Sequence, residues 1–171
     1  MPDAPQQQAF TIASLALAGG GRIGICRLPG REGDLAGDMA VIRAWKPALV
    51  LSMTETAEMQ EFGAATLAAE LARASIAWRH FPIVDYGGPD ATRQAQWPQL
   101  SLELHRRLET GEGILLHCRG GQGRSGMVAL KLLVERGEQP DQALARIRAV
   151  RPGAVETDGQ RQWGAYTPKS S

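Results

Sequence analysis

Residues 113–126, which read GILLHCRGGQGRSG, bring together two side chains that could do chemistry. Cys118 and Arg124 stand six positions apart, and three of the five residues between them are glycine. A cysteine thiolate is a strong nucleophile, and a guanidinium can hold two oxygens of a phosphate at once. Glycines permit the positive φ angles that a loop needs if its N–H groups are to converge on one anion. The stretch therefore predicts attack by sulfur on a bound phosphorus.

The loop between these two residues is predicted to form a phosphate cradle. An apolar strand leads into the loop and a helix leads out of it, so the positive end of the helix faces the anion. The N–H groups, the helix end and Arg124 all favour the thiolate form of Cys118, and His117 is expected to order the loop by hydrogen bonding. The predicted phosphate-binding residues are Arg119, Gly120, Gly121, Gln122, Gly123 and Arg124.

Two other interpretations of the stretch were weighed. A nucleotide-binding P-loop requires glycine at the position of Cys118 and lysine at that of Arg124, so only Gly123 and Ser125 fit it. A buried structural cysteine is the default for a lone cysteine in a strand, and we assign that role to Cys26. A reversible disulfide between Cys26 and an oxidised Cys118 stays open as a hypothesis.

The cleavage of a phosphate monoester also needs a proton for the leaving oxygen. The segment FPIVDYGGPD, residues 81–90, offers Asp85 and Asp90 as acids. Asp90 follows a proline and precedes a helical pattern, so we expect it to cap that helix. Asp85 stands beside a Tyr-Gly-Gly sequence, a context in which an aspartate is commonly a turn residue, and it is the other candidate for the proton donor.

The elements that must position these residues alternate between strand and helix patterns. Short apolar runs alternate with longer segments of helical spacing, which predicts an α/β fold. We expect one domain with a central, mostly parallel sheet of about five strands flanked by helices. The predicted strands are 11–17, 22–26, 48–53, 77–84 and 114–117. The predicted helices are 34–45, 65–74, 91–110, 125–136 and 140–153, the last with Pro152 and Gly153 past the helix end.

Composition narrows the class of protein. The 171 residues carry a net charge of +1, so no global field attracts nucleic acid or an anionic membrane. Two cysteines make neither a disulfide framework nor a zinc motif, and no apolar run approaches the ~20 residues of a membrane-spanning helix. We expect a soluble, cytoplasmic protein that forms one domain over residues 1–171, with flexible ends at 1–8 and 167–171 and no metal.

The sequence HCRGGQGRSG resembles the His-Cys-x5-Arg-Ser/Thr signature of the cysteine-dependent protein tyrosine and dual-specificity phosphatases. Three further segments are similar to the kinase-associated phosphatase branch, often called cyclin-dependent kinase inhibitor 3-like, and occur in its order. They are ICRLPG at 25–30, FPIVDYGGPD at 81–90 and AVETDGQRQW at 154–163. The resemblance covers most of residues 20–165.

This resemblance implies a dual-specificity-phosphatase-like fold and a set of roles. The Cys118 thiolate attacks phosphorus and forms a cysteinyl-phosphate, while Asp85 first protonates the leaving oxygen and then activates water. Arg124 stabilises the transferred phosphoryl group, and Ser125 supports the departing thiolate. Gln160 matches a water-orienting glutamine of the family, although a surface glutamine is the commoner reason for such a residue. The resemblance implies no metal or other cofactor.

Several functions remain open at the level of sequence. The leading prediction is a phosphatase of phosphotyrosine, with phosphoserine and phosphothreonine as further substrates on a phosphorylated protein or peptide. A phosphoinositide phosphatase is an alternative, although such relatives tend to carry lysines in a loop that here has Arg119 and Gln122. A binding module that captures phosphoproteins without turnover is another. The sequence identifies no protein docking partner.

Overall fold

A computed structural model describes residues 8–168 of the chain. Among the residues expected to be flexible, Gln8, Thr167 and Pro168 are exposed and outside any helix or strand. The rest of that expectation, for residues 1–7 and 169–171, lies outside the described residues.

Five strands form one sheet in the order β1-β2-β5-β3-β4. The pair β1 and β2 is antiparallel, whereas β5 pairs in parallel with both β2 and β3, and β3 pairs in parallel with β4. The mostly parallel five-stranded sheet is therefore confirmed. The strands are β1 Ala13–Ala16, β2 Arg22–Cys26, β3 Leu49–Ser52, β4 Ala77–His80 and β5 Gly113–His117.

Seven helices in residues 8–168 cover the two faces of the sheet. Core residues of α1, α2 and α3 pack together on one face, and those of α4, α5 and α6 pack on the other. The helices are α1 Leu35–Trp45, α2 Thr56–Glu61, α3 Leu67–Arg73, α4 Ala91–Glu109, α5 Gly123–Glu135, α6 Pro140–Val150 and α7 Asp158–Ala165. No helix in this part of the chain is long and apolar enough to cross a membrane.

The central position of β5 explains its sequence. All five of its residues are buried, because strands pair with both edges and helices cover both faces. A continuous apolar run is the pattern expected of such a strand. The carboxyl ends of β2, β3 and β5 lie at one edge of the sheet, which is where open α/β sheets bind their ligands.

The elements differ from the predictions at a few positions. The predicted strand 77–84 was too long, because β4 ends at His80, two residues before Pro82, which has no N–H for a ladder. Helix α6 ends at Val150, before Pro152 and Gly153 as predicted, whereas α5 begins at Gly123, two residues earlier than predicted. The short helix α2 was not predicted at all.

Candidate active site

The glycine-rich loop leaves the end of β5 and enters α5, as the sequence predicts. Its carbonyl groups point away from the concavity and accept hydrogen bonds from other residues. The Arg119 carbonyl accepts hydrogen bonds from Leu28 N at 3.1 Å and from Arg31 Nη1 at 3.2 Å. The carbonyls of Gly120 and Gly121 accept from Arg151 at 2.7 and 2.9 Å. These contacts fix the orientation of the loop's peptide planes.

The N–H groups of the same loop remain available to a ligand. Within residues 8–168, no N–H from residue 119 to residue 125 donates a hydrogen bond to another residue. The last of these belong to the first turn of α5, whose N–H groups have no partner within the helix. A run of unpaired main-chain N–H groups at the start of a helix is suited to bind an oxyanion.

Gly121 shows why this loop needs glycine. Its φ is +73°, and a Cβ atom there would lie 2.5 Å from the Cys26 carbonyl oxygen and 2.7 Å from Arg27 N. Real side chains do not tolerate such contacts, so any other residue would push the loop away from the end of β2. Cys118 itself is buried, with 3% of its surface exposed.

Arg124 lies beneath the loop and is 1% exposed. Its Nη1 and Nη2 atoms donate to the two carboxylate oxygens of Glu58 at 2.7 and 3.0 Å, and Nη1 also donates to the Ile83 carbonyl at 2.9 Å. Its Nε is buried and has no hydrogen-bond partner among the described residues, and the same is true of Ser125 Oγ. Two buried polar atoms of the signature are thus left for a ligand or for the thiolate.

Glu58, on α2, is a site residue that the sequence analysis missed. Burial alone would raise the pKa of its carboxyl group, but hydrogen bonds from Arg124 and the Glu55 N–H, with the charge of Arg119, lower it overall. Burial alone would lower the pKa of Arg124, but the hydrogen bond to Glu58, together with nearby charges that include those of Glu58 and Asp85, raises it overall. Both members of the pair are therefore charged at neutral pH.

Asp85 is brought to the same place by the segment after β4. Its Oδ1 lies 3.2 Å from Arg124 Nη2 and its Oδ2 lies 3.8 Å from Arg119 Nη1. Its side chain is 31% exposed, so it faces both the loop and solvent. Asp90, in contrast, caps α4 by accepting a hydrogen bond from Arg93 N at 2.8 Å, which confirms the role expected for it.

Arg119 and Gln122 have additional contacts around the cradle. Arg119 Nε donates to Glu58 Oε2 at 3.1 Å, and its guanidinium lies 4.6 Å from the centre of the Phe62 ring. The Gln122 carbonyl accepts from Gly126 N at 2.8 Å and from Val155 N at 3.3 Å. A cavity of about 310 Å³ opens above the loop, and its walls include Asp85, Tyr86, Arg119, Gly120 and Gln122. We refer to it as the active-site cavity.

His117 is fully buried and acts through the main chain. The Ser52 hydroxyl accepts a hydrogen bond from Trp78 Nε1 at 2.8 Å and donates to His117 Nε2, and His117 Nδ1 donates to the Cys118 carbonyl at 3.4 Å. Burial, the main cause, lowers the pKa of His117 to about 4. The ring is therefore neutral at pH 7, and it orders the carbonyl of Cys118.

Gln160 is also fully buried, so the alternative of a surface glutamine is wrong. Its Oε1 accepts from the N–H groups of Glu156 and Thr157 at 2.9 and 3.3 Å, which caps α7. Its Nε2 donates to the Gly87 carbonyl at 3.2 Å. The side chain thus ties α7 to the segment that carries Asp85.

Cys26 ends β2, fully buried on the face of the sheet covered by α1, α2 and α3. Cys118 belongs to the apolar cluster of the opposite face, and both cysteines are free. Burial raises the pKa of the Cys26 thiol well above its usual value, so this thiol is unreactive while it stays buried. A redox role for Cys26 stays a hypothesis. Within residues 8–168, no group of three or more His, Cys, Asp or Glu side chains could hold a metal ion.

Comparison with known proteins finds a matching family model and several relatives. Residues 43–163 match the family model described as "PTP-SAK: Swiss Army Knife protein, DSP-PTPase phosphatase domain". The chain is 28% identical to cyclin-dependent kinase inhibitor 3 of Homo sapiens over 143 residues, which is 79% of this chain and 66% of that protein. It is 36% identical over 91 residues to 067L, a candidate tyrosine phosphatase of Invertebrate iridescent virus 3, covering 50% of this chain and 38% of that protein. The chain thus spans between about two fifths and two thirds of these relatives.

Solved structures extend the similarity to the whole fold. A crystal structure of kinase associated phosphatase, with its catalytic-site cysteine replaced by serine, superimposes with a TM-score of 0.80 at 25% identity and covers 93% of this chain and 94% of that one. A complex of PTPMT1 with PI(5)P gives a TM-score of 0.64 at 17% identity over 90% of this chain and 92% of that one, which shows a shared fold. The family match spans more than half of the chain, and the chain therefore belongs to the PTP-SAK family of DSP-PTPase phosphatase domains.

Proposed function

We propose that this domain hydrolyses phosphate monoesters on proteins, phosphotyrosine first and phosphoserine and phosphothreonine as further substrates, through a cysteinyl-phosphate. One observation carries the proposal. A buried arginine with an unpaired Nε and a run of unpaired N–H groups surround the residue that the family signature makes the nucleophile. Such donors suit a tetrahedral dianion and its transition state.

In the first step, the Cys118 sulfur forms a bond to phosphorus as the bond from phosphorus to the leaving oxygen breaks. Asp85 supplies the proton to that oxygen, and its position 3.2 Å from Arg124 Nη2 supports this role because Arg124 holds the phosphoryl group. The loop N–H groups and Arg124 Nε stabilise the charge on the non-bridging phosphoryl oxygens.

In the second step, water attacks the cysteinyl-phosphate and the sulfur leaves as a thiolate. Asp85, now ionised, accepts a proton from the water, and the unpaired hydroxyl of Ser125 donates to the departing thiolate. Gln160 Nε2 donates a hydrogen bond to the Gly87 carbonyl. Gln160 can therefore orient the water only if Nε2 gives up this bond and donates to the water instead. Inorganic phosphate is then released.

The alternatives are less well supported. The guanidinium of Arg119 is committed to Glu58 and stacked on Phe62, so it is not poised for a second phosphate of an inositol lipid. Cys118, Arg124 and Asp85 all lie at the cradle, which favours an enzyme over a binding module. We retain the cytoplasm as the predicted location, because two free cysteines and a thiolate nucleophile suit a reducing compartment.

Turnover of p-nitrophenyl phosphate and of phosphotyrosine peptides tests the proposal. The wild type should release phosphate, and Cys118→Ser should abolish release while phosphopeptide binding persists. Vanadate should compete with substrate, and EDTA should have no effect. Binding without turnover in the wild type would make the domain a binding module, and turnover of phosphoinositides alone would make it a lipid phosphatase.

A further inference from the structure

Hydrogen-bonded side chains cross three neighbouring strands at the carboxyl edge of the sheet. Trp78 on β4 donates to Ser52 on β3, and Ser52 is hydrogen-bonded to His117 on β5. We call these three residues the strand-end network. Ser52 is the register partner of His117 on one side and of His80 on the other, and Trp78 shares a face with His80 because it lies two residues before it. The network therefore lies on the face covered by α1, α2 and α3, whereas Cys118 packs on the opposite face.

The protons of the network have one consistent arrangement. An indole N–H donates and never accepts, so the Ser52 oxygen accepts from Trp78 Nε1 at 2.8 Å. Ser52 is fully buried, and among the described residues its hydroxyl proton has no acceptor other than His117 Nε2. A neutral His117 then carries its proton on Nδ1, which lies 3.4 Å from the Cys118 carbonyl oxygen. The opposite tautomer would leave the Ser52 proton without an acceptor and would set two lone pairs against each other at Cys118.

The last hydrogen bond of the network acts on the main chain of the nucleophile. Burial lowers the pKa of His117 to about 4, so the ring holds a single proton at pH 7. The Cys118 carbonyl and the Arg119 N–H belong to one trans peptide group, in which they point in opposite directions. Holding the carbonyl therefore fixes the direction of the Arg119 N–H, which is the first of the unpaired donors of the loop.

We propose that Trp78 is a positioning residue for the nucleophile. Its N–H occupies the Ser52 oxygen and so directs the Ser52 hydroxyl at His117, which in turn holds the peptide group that follows Cys118. Successive hydrogen bonds polarise one another, so the first donor strengthens the last bond. Trp78 lies on the edge strand β4 and is not a wall of the active-site cavity, so it acts without touching the substrate. The role in catalysis rests on the proposed function, whereas the proton arrangement does not.

Nitrogen NMR of the histidine rings tests the proton arrangement directly. The chain has three histidines, so spectra of His80→Gln and His105→Gln identify the signals of His117. In the wild type at pH 7, the His117 ring should be protonated at Nδ1 and unprotonated at Nε2. A ring protonated at Nε2 overturns the proposal, whatever the variants show.

A double-mutant cycle tests whether Trp78 acts through Ser52. The measurements are the rate at which iodoacetamide alkylates Cys118, followed by mass spectrometry, and kcat/KM for p-nitrophenyl phosphate. Trp78→Phe and Ser52→Ala should each lower both by about fivefold, the effect of one lost hydrogen bond. In the Ser52→Ala background, Trp78→Phe should have no further effect. Trp97→Phe, which loses an indole N–H donated to Glu135, is the matched control and should leave both measurements unchanged.

Each outcome of the cycle bears on one claim. Equal effects of Trp78→Phe with and without the Ser52 hydroxyl would show that Trp78 contributes packing alone, and this overturns the proposal. The absence of any effect of Trp78→Phe also overturns it. If the wild type turns over no phosphate ester, the proposed function fails, and the alkylation rate and the NMR spectra still test the network. Should Ser52→Ala fail to fold, the wild-type tautomer and the contrast between Trp78→Phe and Trp97→Phe decide.

Discussion

At the scale of residues, Arg124 divides its donors between two tasks. Its Nη atoms hold Glu58, and its Nε remains for a ligand. A guanidinium is a planar fork, so fixing one edge of it also fixes the direction of the other. Glu58 thus orients the group that is proposed to hold the phosphate.

Replacing Glu58 by glutamine should weaken both binding and catalysis. Glutamine keeps the shape but lacks the charge, and breaking a buried ion pair from one side typically costs about 3–5 kcal/mol. We expect kcat/KM for p-nitrophenyl phosphate and the affinity for vanadate to fall by at least about tenfold each. Glu58→Asp should recover part of the vanadate affinity. Glu61→Gln, at an exposed position of the same helix, is the control, and equal losses in the two variants would contradict a positioning role.

The proton donor can be identified by the leaving group. Asp85→Asn should slow the hydrolysis of alkyl phosphates by about 10²–10⁴, because their leaving oxygen needs the proton. Substrates with good leaving groups should be affected far less. Asp90→Asn is a matched control, because asparagine caps a helix as well as aspartate does. A leaving-group dependence that appears with Asp90→Asn would reverse the assignment.

At the scale of elements, the sequence predicts the strand-loop-helix unit well, but it predicts poorly the helices α2 and α7, which contribute residues around that unit. The strand β5 and the loop are local features, visible as an apolar run and a glycine-rich signature. Helix α2 has six residues and no apolar repeat, so local patterning does not reveal it. Glu58 is buried because Arg124, 66 positions away, pairs with it, and that contact exists only in the folded chain.

The element α7 shows the same limit. Gln160 was identified only through the family resemblance, and its burial comes from contacts with Gly87 and with the start of its own helix. Gly123 adds to this packing, since a Cβ atom there would lie 3.0 Å from both amide atoms of Gln160. The tie between α7 and the Asp85 segment is thus a tertiary feature.

Removing the contact between Gln160 and the Gly87 carbonyl should make the segment that carries Asp85 more mobile. Gln160→Ala removes the hydrogen bond to the Gly87 carbonyl, so amide hydrogen exchange in residues 84–90 should become faster. The free energy of unfolding should fall by about 1 kcal/mol for each lost hydrogen bond. Gln162→Ala, at an exposed position of the same helix, should leave the exchange unchanged. Unchanged exchange in Gln160→Ala would show that other contacts hold the segment.

At the scale of the whole molecule, two apolar clusters share one sheet. The residues of β5 alternate between them, so Leu116 packs on one face and Leu115 on the other. His117 follows in the same strand and is buried with them, although it is polar. The stability of the domain is therefore coupled to the protonation of one ring.

This coupling predicts a pH dependence of stability. The pKa of His117 is about 4 in the folded protein and 6.5 as its ordinary value, so between these values the unfolded chain binds more protons. The free energy of unfolding should keep its maximal contribution from neutral His117 above pH 6.5 and should fall by about 3 kcal/mol as the pH drops to 4. Glu58, whose pKa is lowered, adds a further loss below about pH 4.5. Denaturant titrations across this range measure the slope, and His117→Asn should flatten it; a flat wild-type profile would contradict the coupling.

The parallel sheet also separates the two rims of the molecule. Glu58, Asp85 and Cys118 all follow the carboxyl ends of strands, while the turns at the amino ends carry none of them. One such turn holds Gly19, where an added Cβ atom would meet nothing within 4 Å. That rim is therefore the place to insert a reporter or a targeting module into the enzyme, because an insertion there does not change the segments that position Glu58, Asp85 and Cys118.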